Sequence, residues 1–328
     1  MNAATRHRLE GLEPENLLAF MALLGLLRAL ETARPDLAPR AYWDVETLPW
    51  RPWLTLAVPL EEDEIAEAAT VGVAALARAH NFDRDDLNHS GEQASAVLDA
   101  ARNESPERRA LLDALMSDGA VKDDGRVWPT PLCFLFGQGH QHFLARLADV
   151  PRGVLPAKLA KLKTPPNLTD PAYIAAALFA PWQREAPTDG LRWDPAEDRR
   201  YALRADDPSG DPAGQEHGAN RLAAVGLPVL AGTVVERGRG ELRFLNRATR
   251  YSGANQIEIV WPVWTRPARL SGIEALLSHP DVIAAKPDAG ALARLGVAAV
   301  MTADRISIGK FFNVTAARQV EPRRRGTD

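Results

Sequence analysis

Leu17, Leu18, Phe20, Met21, Leu23, Leu24, Leu26, Leu27 and Leu30 fall on almost every side of a helix, and this segment constrains the fold more than any other. A helix that is apolar all round has no face for water, so other elements must pack on most of its sides. Pro14-Glu15-Asn16 provides its start, because proline suits a first turn and an acid suits the positive helix end. Arg34-Pro35 ends it. Gly25 in its middle costs about 1 kcal/mol relative to alanine, which predicts a close approach by a neighbouring element there. The run Leu17–Leu27 has roughly half of the 20 residues a bilayer span needs, so no membrane partner is expected.

A chain of 328 residues, 46% of them apolar, can bury a sizeable core. The element pattern predicts an α+β fold, with a helical N-terminal region and a mixed or antiparallel sheet in the C-terminal region. Pro165-Pro166 is the best linker, which divides the chain into a mainly helical domain at 1–164 and an α+β domain at 165–320. The segment 321–328 is a basic tail expected to be disordered. Helices are expected over Glu61–Ala79 and over Ala101–Met116, the second capped by Ser105 before Pro106. Leu54–Val58 reads as a strand, and Pro49 and Pro52 before it suggest a sheet edge. Gln215–Leu230 reads as a helix, Thr233–Leu245 as a hairpin, and Gln256–Trp264 as a strand with both faces apolar towards its end. Leu270–Leu277 reads as a helix, Ala289–Thr302 as one further element and Arg305–Ala316 as a last strand. The single cysteine, Cys133, excludes an intramolecular disulfide and a cysteine zinc cage. It fits a reducing cytoplasm, and its apolar neighbours place it in the core. No secretory signal pattern is read at the N-terminus.

The net charge is -4, but the charge is unevenly placed. Glu61–Arg126 carries 16 acids against 7 bases, whereas Arg221–Arg269 carries 8 arginines against 3 acids. The second region is a candidate basic face on an acidic body. Tyr201, Tyr251, Trp261 and Trp264 are interleaved with Arg199, Arg200, Arg204, Arg247, Arg250 and Arg266. Arginine grips phosphate and a flat ring stacks on a base, so this pattern suits a polynucleotide. Asn255 and Gln256 carry amides that can read adenine edges. The alternative is a tryptophan core with arginine stems packed over it. Lys158, Lys161 and Lys163 fall roughly on one side of a helix and extend the basic set.

Gly137, Gln138, Gly139 and His140 follow an apolar segment and precede a helix start. Such a turn exposes backbone N–H groups that can hold a phosphate, although the spacing is neither a Walker loop nor a dinucleotide fingerprint. His140 and His142 would share a face on a strand and could seat a metal for a hydrolase; on a helix start they diverge. Asp194, Glu197 and Asp198 sit beside arginines and read as a salt-bridged turn. No Gly-x-Ser-x-Gly occurs. The residues therefore suggest a chain without catalytic function or cofactor. A metal-dependent hydrolase, or a structural scaffold that docks through its acidic Glu61–Arg126 face, are the alternatives.

Three stretches together resemble a known family. They are Asn16–Leu27 followed by a tryptophan segment, the turn Phe136-Gly137-Gln138-Gly139-His140-Gln141-His142-Phe143-Leu144, and Gly218–Pro228 leading to Ile259-Val260-Trp261-Pro262-Val263-Trp264. Their order is similar to that of the large-subunit proteins of type I-G (earlier I-U) CRISPR surveillance complexes. The resemblance implies a non-catalytic subunit that sits with other effector subunits on a guide RNA. It further implies contact with target DNA and recruitment of a helicase-nuclease.

Overall fold

The computed structural model describes residues 5–135, 142–197, 214–238, 240–253, 256–308 and 311–323. Together they form an α+β fold of helices and antiparallel sheets. The chain opens with β1 (Thr5–Arg8), α1 (Leu17–Ala33), β2 (Arg40–Asp44) and β3 (Arg51–Leu56). Asn16 caps α1: its side-chain oxygen accepts from the backbone of Leu18 at 2.9 Å and Ala19 at 3.3 Å. The amide nitrogen of Asn16 donates to Asp194 at 3.0 Å, and Asp194 pairs with Arg184 at 2.6 Å. The buried carboxylate thereby ties the start of α1 to a residue 178 positions away.

The helices α2 (Glu62–Leu76), α3 (Gly91–Ala101), α4 (Pro106–Leu115), α5 (Phe143–Arg152), α6 (Pro171–Phe179) and α7 (His217–Gly226) follow. Ser90 and Ser105 cap α3 and α4 by accepting from the third backbone N–H of each helix. Every residue of α7 is buried, including Asn220 and Arg221. The all-round apolar α1 packs chiefly on α7 and α2. The close approach expected at Gly25 is present. A Cβ there would stand 1.8 Å from the Leu222 carbonyl oxygen, and one on Gly226 would stand 2.5 Å from that of Met21.

The C-terminal part contains β4 (Gly232–Arg237), β5 (Glu241–Asn246), β6 (Thr249–Ser252), β7 (Gln256–Trp264), α8 (Leu270–Leu277), α9 (Pro280–Ile283), α10 (Ala289–Leu295), β8 (Val297–Ile308), β9 (Phe311–Val314) and β10 (Arg318–Gln319). β4 and β5 form a hairpin by themselves. β6, β7 and β8 run side by side, and β9 and β10 take successive lengths of the other edge of β8. One face of β7 puts Ile259, Trp261 and Val263 into the main apolar cluster with α1 and α7. Its other face puts Val260 into a smaller cluster with Val282, Leu292 and Val300. The main cluster draws residues from both sides of position 164.

Four expectations are corrected. β3 is the middle strand of its sheet, not an edge. Pro52 is tolerated because β1 pairs with β3 only from Trp53 onward, and the Pro52 carbonyl accepts from Leu9 at 2.9 Å. Ala289–Thr302 divides at Gly296, where a φ of 71° ends α10 and β8 begins. The last strand is therefore a hairpin of β8 and β9. Val154–Pro166 holds only one 3-10 turn, Leu159–Lys161, so no helical face gathers Lys158, Lys161 and Lys163, all of which are exposed. Of the expected basic tail, residues 324–328 lie outside the described residues.

Candidate nucleic-acid interface

Directly opposed residues of an antiparallel pair share a face of the sheet. Tyr251 of β6 opposes Ile257 of β7, Ile257 opposes Arg305 of β8, and Arg305 opposes Val314 of β9. Phe312, two residues from Val314, returns to the same face. Strand alternation alone thus lays Tyr251, Arg305 and Phe312 in one band. β5 brings Arg243 over this band, and the loop before Pro131 brings Lys122 and Trp128. Together they enclose a cavity of about 400 Å³.

The cations in this cavity stack on its rings. The Arg243 guanidinium lies 3.6 Å from the centre of the Trp128 ring, with the Lys122 ammonium at 4.9 Å from the same ring. The Arg305 guanidinium lies 3.6 Å from the centre of Phe312. Just outside, Arg237 covers Tyr251 at 4.0 Å. Arg305 donates to the Cys133 carbonyl at 3.0 Å, and Arg243 pairs with Glu241 at 2.6 Å. Burial lowers the Arg305 pKa to about 10, so it stays charged at neutral pH. Burial also lowers that of Lys122. The indole N–H of Trp128 and the Nε of both Arg243 and Arg305 are buried without a hydrogen-bond partner. None of the described lining residues is a carboxylate, histidine, serine or cysteine. A guanidinium over a ring is the kind of group that can stack on a nucleobase and donate from its edge to phosphate.

Of the residues expected at a nucleic-acid surface, Tyr251 lines this cavity and the others described do not. Arg250 directly opposes Glu258, on the other face of the same strands. It donates to Glu258 at 2.7 Å and to the carbonyls of Ile283 and Ala284. Glu258 also binds Arg318 at 3.1 Å. Arg250 is therefore a structural tie, because the two-residue period turns it away from Tyr251. Gln256 shares its face and donates to Asp304 at 3.1 Å. Arg247 donates to the Val229 carbonyl and lies 3.8 Å from Glu274. Arg266 is exposed at the far end of β7, beside Gly296. Trp261 and Trp264 are core residues: Trp261 stacks on Phe20 and donates to Pro14, and Trp264 donates to Ala41. Arg199, Arg200, Arg204, Asn255, Gly137, Gln138, Gly139 and His140 lie outside the described residues.

Asp194 pairs with Arg184; Asp198 and the neighbouring Arg199, Arg200 and Arg204, expected in its salt-bridged turn, lie outside the described residues. Burial and Asp194 together push Glu197 up to about 7. Cys133 is buried and its thiol is pushed up to about 12 by burial, which suits a core residue. His142 faces Asp86, 3.1 Å from Nδ1. Among the described residues no group of three metal-ligating side chains could hold an ion, and no helix is long and apolar enough to cross a membrane. Sequence reasoning misses Trp128, Arg243 and Arg305 because they come from three distant segments. The alternation of Tyr251, Ile257 and Arg305 in consecutive strands is the available signal. Compared with models of known families, with curated proteins and with solved structures, the chain matches none.

Proposed function

We propose that the chain is a non-catalytic, cytoplasmic subunit of an RNA-guided effector complex of the type I-G CRISPR kind. It binds guide RNA or target DNA through the aromatic cavity and holds other effector subunits and a helicase-nuclease through the rest of its surface. The observation that carries this reading is the convergence of Lys122, Arg243 and Arg305 on Trp128, Tyr251 and Phe312, with no described carboxylate in the lining. Cations next to flat rings suit a single strand, whose phosphates and bases need those two partners. The resemblance of the leucine helix, the Gly137–Gly139 turn and the segment from Gly218 to Trp264 to that family supports the same reading.

The test is fluorescence anisotropy with single-stranded RNA and DNA at several salt concentrations. Arg243→Glu should weaken binding and reduce the slope of log affinity against log salt by about one for each phosphate it no longer neutralises. Binding with an unchanged slope in Arg243→Glu rejects the cavity as the interface.

A further inference from the structure

Arg221 lies on the fully buried α7, and the residue is 1% exposed. Its Nε reaches the Pro151 carbonyl only at 3.4 Å, and its Nη1 has no hydrogen-bond partner. Burial lowers its pKa, to about 10, so it is a cation at neutral pH, and no carboxylate among the described residues acts on it. A buried charge without a counter-charge is strongly destabilising, and a fold retains one where something else offsets it.

Arg221 lines a cavity of about 250 Å³, to which α2 contributes Thr70 and α5 contributes Arg152. The turn after α2 contributes Arg78. The hydroxyl of Thr70 is buried and has no partner either. No carboxylate is among the described lining residues. Arg152 also donates to the His80 carbonyl. Arg78 borders a neighbouring groove that holds Glu104 and Glu107, so the case rests first on Arg221 and Thr70.

We propose that this cavity binds a phosphate group, with Arg221 and the Thr70 hydroxyl as its inner donors and Arg78 and Arg152 as outer cations. A carboxylate offers two oxygens in one plane. A phosphate offers oxygens in several directions, which matches donors arriving from three separate elements. The phosphate can belong to a free phosphate compound or to a nucleic-acid backbone. The site shares no lining residue with the aromatic cavity, so its failure and the failure of the proposed function are separate results.

The experiment measures thermal unfolding and isothermal titration of the full chain with inorganic phosphate, against chloride and acetate at equal ionic strength. Phosphate should raise the Tm and the two controls should not. Arg221→Gln should weaken phosphate binding by about tenfold or more, the size of a charge-assisted hydrogen bond. Thr70→Val, which removes one neutral hydroxyl, and Arg152→Gln, at the rim, should each weaken it by about threefold, and they carry the test if Arg221→Gln does not fold. A short oligonucleotide that inorganic phosphate displaces, and that loses affinity in the same variants, identifies a backbone phosphate. An oligonucleotide indifferent to both, beside intact binding of inorganic phosphate, identifies a free phosphate compound. Wild type that responds to phosphate no more than to chloride or acetate overturns the proposal, as do variants that bind phosphate like wild type.

Discussion

A Cβ on Gly25 would stand 1.8 Å from the carbonyl oxygen of Leu222, so α1 and α7 cross with their backbones in direct contact. Gly25→Ala must push the two helices apart, and overpacking of this kind costs about 3 kcal/mol or more. Gly272 in α8 is the control, because a Cβ there meets only the Ala268 methyl at 3.8 Å. Gly272→Ala should stabilise the protein by about 0.5 to 1 kcal/mol through helix propensity. Urea denaturation of the two variants should shift in opposite directions.

Trp128→Ala should weaken single-strand binding by about 1 to 3 kcal/mol, the range for one stacking platform. Arg250→Met gives the contrast. Its guanidinium is committed to Glu258, whose side chain is 7% exposed and would keep only the exposed Arg318, so the variant should lose roughly 1.5 to 3 kcal/mol of stability, the range for a hydrogen bond to a charged group. Its salt slope for nucleic acid should match wild type. A changed slope in Arg250→Met would return that residue to the interface.

His80 is buried, and its Nδ1–H donates to the Leu147 carbonyl at 2.9 Å. Burial first, and then Arg28, Arg152 and Arg108, bring its pKa from 6.5 to about 3. Between those values the unfolded chain takes up a proton that the folded chain refuses. Its stabilising contribution is therefore complete above about pH 6.5 and falls away towards pH 3. His217, lowered to about 4 chiefly by burial, acts in the same direction. Glu197 acts oppositely. Its folded carboxyl, raised from 4.5 to about 7, holds a proton that the unfolded chain releases, so its contribution is present in acid and is lost as pH climbs to 7. Denaturation midpoints measured from pH 4 to 8 should show a flatter acid limb in His80→Gln and a flatter neutral limb in Glu197→Gln.

The Cys133 thiol donates to the Leu135 carbonyl at 3.1 Å. With its pKa at about 12, little thiolate exists at pH 8. Iodoacetamide should label the native protein about a hundredfold more slowly than the unfolded chain, and mass spectrometry reads this directly. Rapid native labelling would mean that the loop around Cys133 opens.

The sequence displays those parts of the fold that depend on local pattern. The leucines of α1, the glycine at its crossing and the Ser105 cap are all local signals, and each has the place expected of it. Pro52 shows the limit: its effect depends on where β1 stops pairing, which no window around Pro52 contains. The candidate site shows the same limit more sharply. Tyr251 and Arg250 are neighbours with the same apparent promise, but alternation sends one to the cavity and the other to Glu258. Trp128 reaches that cavity from more than 100 positions upstream, and only the tertiary fold brings it there.

The burial of α7 has a consequence for how the protein is made. α1 ends at Ala33 and the helix that covers it begins at His217. At translation rates of roughly 5 to 20 residues per second, the part of the leucine surface that α7 covers stays exposed for about ten to forty seconds after it is made. A truncation product ending before Gly226 keeps that surface exposed and should precipitate instead of folding into a smaller protein.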